Sequence, residues 1–94
     1  MVYVVERYLP GLSRSDLLAA LGRLRKATRG RSEEAQVRYL GSTIVLEDEA
    51  CFCQFEGPSE VAVAAANRRA RAPFDRIVPA VAVFPVAQGE GRER

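Results

Sequence analysis

Cys51 and Cys53, one residue apart, and the acids Glu6 and Glu56, each beside apolar strand-forming residues, are the chain's main material for chemistry. Two thiols on one strand face can pack as small hydrophobes or hold a soft metal, whereas two carboxylates can share acid and base roles. The sequence contains no histidine. That removes imidazole acid–base catalysis, Ser-His and Cys-His nucleophile pairs, and imidazole metal ligands. Tyr8, Tyr39, Gln54 and Arg76 complete the polar set near the expected sheet. From this set Glu6, Tyr39, Glu56 and Arg76 are the candidate ligand-binding residues. Glu56 marks the expected functional face, with Arg76 as its candidate partner.

Other constellations carry less. Two thiolates without further Cys or His fall short of a closed zinc-type site, so core packing is the expected role of Cys51 and Cys53. Their spacing on a strand points both to one face and argues against a disulfide between them. Glu47-Asp48-Glu49 lacks the spaced ligands and glycine of a calcium loop and reads as a solvated turn. Arg68, Arg69 and Arg71 suit a helix end, where the macrodipole favours cations. Gly-rich phosphate motifs are absent.

The elements that position these residues follow from the apolar pattern. Val2 to Tyr8 reads as a strand stopped by Leu9-Pro10-Gly11. Ser13 then offers an N-cap oxygen with Asp16 three residues on, and Leu17, Leu18, Leu21 and Leu24 recur at helical spacing in a helix ending near Gly30. Val37 to Leu46 and Ala50 to Glu56 form a hairpin around the acidic turn, with Gly41 marking a bulge or bend. In its second strand Cys51, Cys53 and Phe55 should face the helices, and Phe52, Gln54 and Glu56 the other side. Ser59 caps an alanine-rich second helix terminated by Pro73. Arg76 to Phe84 supplies the last strand, with Ile77, Val81 and Val83 on one face and Pro79 requiring an edge or irregular position.

Strand, helix, strand, strand, helix, strand is the split βαβ order. It predicts a ferredoxin-like α+β sandwich over residues 1–84, a four-stranded antiparallel sheet with two helices on one face, followed by a flexible tail over 85–94. Antiparallel pairing of the first and third strands places Glu6 and Glu56 at opposite ends of the sheet, against a paired-carboxylate mechanism. The uncovered face, expected to carry Val4, Tyr8, Phe52 and Tyr39, is most simply buried against a second copy, so a homodimer is expected.

Composition bounds the partners. Ninety-four residues, 48% of them apolar, make one small domain. A net charge of +2 from 14 basic and 12 acidic residues is too balanced for a general polyanion binder. The third strand also lacks the basic-Gly-aromatic signature of RNA-recognition domains, so no nucleic acid is expected. No apolar run approaches membrane-spanning length and no leader pattern opens the chain, which predicts a cytoplasmic protein without a membrane partner.

Tyr3-Val4-Val5-Glu6-Arg7-Tyr8-Leu9-Pro10-Gly11-Leu12, Val37-Arg38-Tyr39-Leu40, the run Cys51-Phe52-Cys53-Gln54-Phe55-Glu56-Gly57-Pro58-Ser59 and Pro73-Phe74-Asp75-Arg76-Ile77 together define a further pattern. In this order it resembles a bacterial family of ferredoxin-like domains of unknown function with nickel-binding members. The resemblance implies a dimeric α+β sandwich, with nickel held through histidine-containing sites in some members. Cys53 and Glu56 match the family's strand motif, whereas the family's histidine in the second helix falls at or near Asn67, and Asn is a poor nickel ligand. The expected function is therefore a small homodimeric protein that binds a small molecule or a weakly held metal in the sheet–helix cavity or dimer groove. A dimeric α+β-barrel enzyme acting on a small aromatic or polyketide-like substrate is the alternative.

Overall fold

In the computed structural model, which describes residues 1–28 and 36–83, six elements alternate as β1 (Val2–Tyr8), α1 (Arg14–Ala27), β2 (Arg38–Val45), β3 (Ala50–Glu56), α2 (Glu60–Arg69) and β4 (Arg76–Ala80). The strands form one antiparallel sheet in the order β2-β3-β1-β4. Alternation sorts the two central strands as the sequence predicts. Tyr3, Val5, Cys51, Cys53 and Phe55 are buried in one core with Leu24 of α1 and Val63 and Ala66 of α2. Both helices therefore lie over the same sheet face, and the fold is the expected ferredoxin-like sandwich.

Local chemistry sets the helix starts. The Ser13 hydroxyl accepts from the Asp16 N–H at 3.1 Å, and the Ser59 hydroxyl from the Ala62 N–H at 3.1 Å. Helix α1 stops at Ala27, where Thr28 returns its hydroxyl to the Leu24 carbonyl at 3.0 Å. Gly30, the expected end, lies outside the described residues. Helix α2 ends before Pro73, its expected terminator. The Ala72 N–H donates to the Asn67 carbonyl at 3.0 Å and the Arg71 N–H to the Arg68 carbonyl at 2.9 Å, with Arg71 at φ +54°. This is a Schellman cap, completed before the proline is reached.

The last strand is shorter than expected. Strand β4 pairs only with β1, and Ala80 stands opposite Val2, so the ladder ends where β1 begins. Val81 and Val83, expected to share a strand face with Ile77, are accordingly 86% and 85% exposed. Pro79 occupies this edge strand, where its missing N–H is tolerated. Tyr39 also departs from expectation. It pairs with Phe55, ring centroids 5.3 Å apart, on the helix-covered face and not on the open one. The register then shifts between Tyr39 and Gly41, the predicted bulge, with Gly41 at φ +142°. Residue 84 and the tail over 85–94 lie outside the described residues.

Candidate functional site

Strand alternation carries Arg7 into the helix-facing row behind Tyr3 and Val5, where it is only 2% exposed. Its Nη1 donates to the carbonyls of Ala72 at 3.2 Å and Pro73 at 3.1 Å, and its Nη2 to Asn67 Oδ1 at 2.9 Å. Asn67 is fully buried, and its Nδ2 donates to the Val63 carbonyl at 2.8 Å, which fixes the amide's orientation. Arg23 reaches from α1 to the same corner, donating to the Ala70 carbonyl at 2.7 Å and the Arg71 carbonyl at 3.1 Å. The negative end of α2 thus meets two guanidinium groups. Arg7 Nε is buried without a hydrogen-bond partner, and among the described residues no carboxylate pairs with Arg7. A buried cation in that condition is costly unless something nearby carries negative charge.

The thiol pair stands closest to that requirement. Cys51 stands opposite Arg7 in the β1–β3 ladder. Its sulfur lies 3.6 Å from that of Cys53, and Ser42 Oγ donates to Cys53 Sγ at 2.9 Å. Tyr39 hydrogen-bonds Ser42 in turn, so a chain runs Tyr39, Ser42, Cys53, Cys51. The Cys53 thiol is pulled down to about 6, first by the hydrogen bond from Cys51 and then by the charge of Arg7 and the Ser42 hydroxyl, against the opposing effect of burial. Cys51 is pushed up, because it gives that hydrogen bond and because it is buried. Burial also raises Tyr39, with Ser42 opposing. Cys53 is thus the more acidic of the two thiols, favoured in that direction by the nearby Arg7 guanidinium.

Cys51 forms part of the wall of a cavity of about 370 Å³ between the start of α1 and the β2–β3 turn. Leu9, Leu12, Leu17, Ile44 and Leu46 make it apolar, and the exposed Arg14 and Glu49 add charge. Glu49 fastens the loop before α1, accepting from the Gly11 N–H at 3.1 Å through its side chain and from the Leu9 N–H at 2.9 Å through its carbonyl. A second cavity of about 270 Å³ shares Leu9, Leu12 and Leu17 and reaches Arg7 and Arg23. That second cavity holds Asp16 together with the two arginines, and neither thiol is in its wall.

The four candidate residues are not brought together. Glu6 lies on the open face and pairs with Arg76 at 3.0 Å, an interaction that raises the Arg76 pKa. Glu56 pairs with Arg38 at 3.0 Å, not with Arg76 as expected. Register is the reason: Glu56 stands opposite Arg38 and Val2, whereas Arg76 stands opposite Glu6. Tyr39 joins the thiol chain on the other side of the sheet. The sequence reading missed Arg7, Ser42 and Asn67 as members of the centre. An arginine continuing the buried row Tyr3, Val5 is the signal that pointed to the first of them.

These features define a ferredoxin-like α+β sandwich with an arginine–thiol centre under its first helix. Residues 3–80 match the family model described as nickel responsive protein SCO4226-like, and the chain belongs to that family. The crystal structure of SCO4226 from Streptomyces coelicolor A3(2) is similar, with a TM-score of 0.68 at 22% identity, covering 87% of this chain and 100% of that one; it shares the fold. Comparison with curated proteins gives no match. Among the described residues no helix is long and apolar enough to cross a membrane.

Nickel does not fit the residues described at this centre. Among the described residues no three of His, Cys, Asp and Glu gather into a metal-binding group. The two thiols face a guanidinium, and Asn67 commits both ends of its amide to Arg7 and Val63. Borderline metals of this kind take imidazole and several further donors, which the centre lacks.

Proposed function

We propose that the chain is a small homodimeric ligand-binding protein whose site is the cavity between α1 and the sheet, and that nickel is not its ligand. One observation carries this reading: a buried arginine that has no carboxylate partner among the described residues, opposite Cys51 in the wall of an apolar cavity. A volume of about 370 Å³ falls at the small end of ligand pockets, which run from about 300 Å³ upward. The ligand is accordingly small, mainly apolar, with an anionic or soft end directed at the centre. Anilinonaphthalene sulfonate combines such a body with such an end and serves as the probe. It is expected to bind saturably, one molecule per chain, by fluorescence titration. Leu46→Trp, at an exposed position of the cavity lining, should weaken binding about tenfold, a loss of ~1.4 kcal/mol. Equal affinity in the two proteins rejects the cavity as the site.

The dimer rests on the open sheet face. Val4, Phe52 and Val78 are half-buried there in the single chain, and Tyr8 stands edge-on to Phe52 with ring centroids 6.4 Å apart. A second copy of the chain is the expected cover. Light scattering at micromolar concentration should give about twice the mass of the 10.3 kDa chain, and Phe52→Arg should halve it. A wild-type monomer would refute the dimer and leave the cavity untouched.

A further inference from the structure

Cys51 and Cys53 hold their sulfurs 3.6 Å apart, close enough for one ion to bond both. Metal–thiolate bonds of about 2.3 Å span that separation in a bent arrangement, and rotation of Cys51 toward the cavity opens the angle further. Cys51 belongs to the wall of that cavity although it is only 1% exposed, so a local movement of that wall admits an ion to the pair without unfolding of the sheet. Charge then selects the ion. Two thiolates and Arg7 sum to one net negative charge, which a monovalent cation neutralises. A divalent ion leaves one positive charge uncompensated in a centre where, among the described residues, no carboxylate pairs with the guanidinium. Glu49 also lines the cavity, but it is exposed and held by the Gly11 N–H.

Donor type and number agree with charge. Thiolates prefer soft ions, and copper(I) is satisfied by few ligands, whereas nickel(II) and zinc(II) seek further nitrogen, oxygen or sulfur donors. The hydroxyl found at the pair among the described residues, that of Ser42, is already a donor to Cys53. We propose that Cys51 and Cys53 form a two-thiolate site for a single soft monovalent metal ion of the copper(I) class, entered from the cavity under α1. The inference rests on the cavity reading above, which supplies the route in. On binding, the thiol protons pass to solvent, the metal remains in its monovalent state, and no electron moves.

The test uses the full chain, reduced and anaerobic, titrated with copper(I) supplied as its coloured bicinchoninate complex. The expected result is transfer of one copper(I) per chain, read as loss of the complex's colour. Cys51→Ser and Cys53→Ser should each weaken uptake about a hundredfold or more, because the second sulfur acts at high effective concentration. Thermal unfolding of each variant reports whether it is folded, and Cys51→Ser leaves the Ser42 hydrogen bond to Cys53 in place. Equimolar nickel(II) should not displace the copper. Absence of transfer, transfer undiminished in folded Cys51→Ser, or displacement by equimolar nickel(II) overturns the proposal. Failure of copper uptake while anilinonaphthalene sulfonate still binds overturns the metal site and leaves the cavity reading standing. Copper held through both cysteines without sulfonate binding supports the site and removes the cavity as a pocket for organic ligands.

Discussion

Helix α2 presses Val63, Ala64, Ala66 and Asn67 into the core within ten residues, whereas α1 buries only Ala20 and Leu24 within fourteen. Alanine lets α2 approach closely, and its C-terminal end is bound by Arg7 and Arg23. The leucines of α1 are less committed: Leu17 and Leu21 are half-buried, and Leu18 is 53% exposed. Cavities lie beneath that helix for this reason. One helix sets the rigid electrostatic wall of the site, and the other leaves the room.

The largest effect expected from this contrast is at Asn67. Asn67→Ala removes an acceptor from a buried guanidinium and should cost about 3 kcal/mol, the upper end for stranding a polar group that faces a neutral partner. Urea unfolding measures it. An unchanged midpoint would show that α2 does not depend on the Arg7 contact.

Packing offers a finer comparison. A methyl group at Gly57 would stand 3.2 Å from Val63 Cγ2 and 3.3 Å from Val37 Cγ2, both inside the well-packed half. Gly57→Ala should therefore cost about 1–2 kcal/mol through overpacking, while Leu18→Ala on α1 should stay within about 0.5 kcal/mol. Equal losses in the two variants break the distinction between the helices.

A third comparison is the pH dependence of the centre. The Cys53 thiol lies at about 6 when folded, below its ordinary value of 9.0, so folding favours the thiolate. Its contribution is complete above the ordinary value, declines as pH falls, and is lost once pH drops through about 6. Cys51 acts with the opposite sign, resisting ionisation and weakening the fold only in the alkaline range. The Tm advantage of the wild type over Cys53→Ser should shrink between about pH 8 and about pH 5. A constant difference would place Cys53 as a neutral thiol.

What the sequence disclosed follows the range of the interactions involved. Both N-caps and the limits of β3 were legible because Ser13, Ser59 and the alternation of Cys51, Cys53 and Phe55 act over a few residues. The end of β4 was not, since Val81 lies beyond the last pair of the ladder, Ala80 with Val2, a limit that cross-strand register and not local composition sets. Ion-pair partners were hidden as well: alternation gives the face of Glu56, but only cross-strand register gives Arg38 as its neighbour. Arg7 and Asn67 read as polar ends of their elements until the carbonyls of Ala72 and Pro73 close over the guanidinium.

The bulge in β2 decides which atom the Cys53 sulfur meets. Tyr39 and Ser42 are three positions apart, a spacing that would send them to opposite sides of an unbroken strand. The surplus residue between Tyr39 and Gly41 splices two short strands of opposite parity and returns both hydroxyl groups to one side. Were the ladder to continue unbroken from Tyr39, Gly41 would stand opposite Cys53 and Ser42 opposite Phe52. The sulfur would then look across at a residue with no hydroxyl, and the relay from phenol to thiolate would be severed by a difference of one in the count.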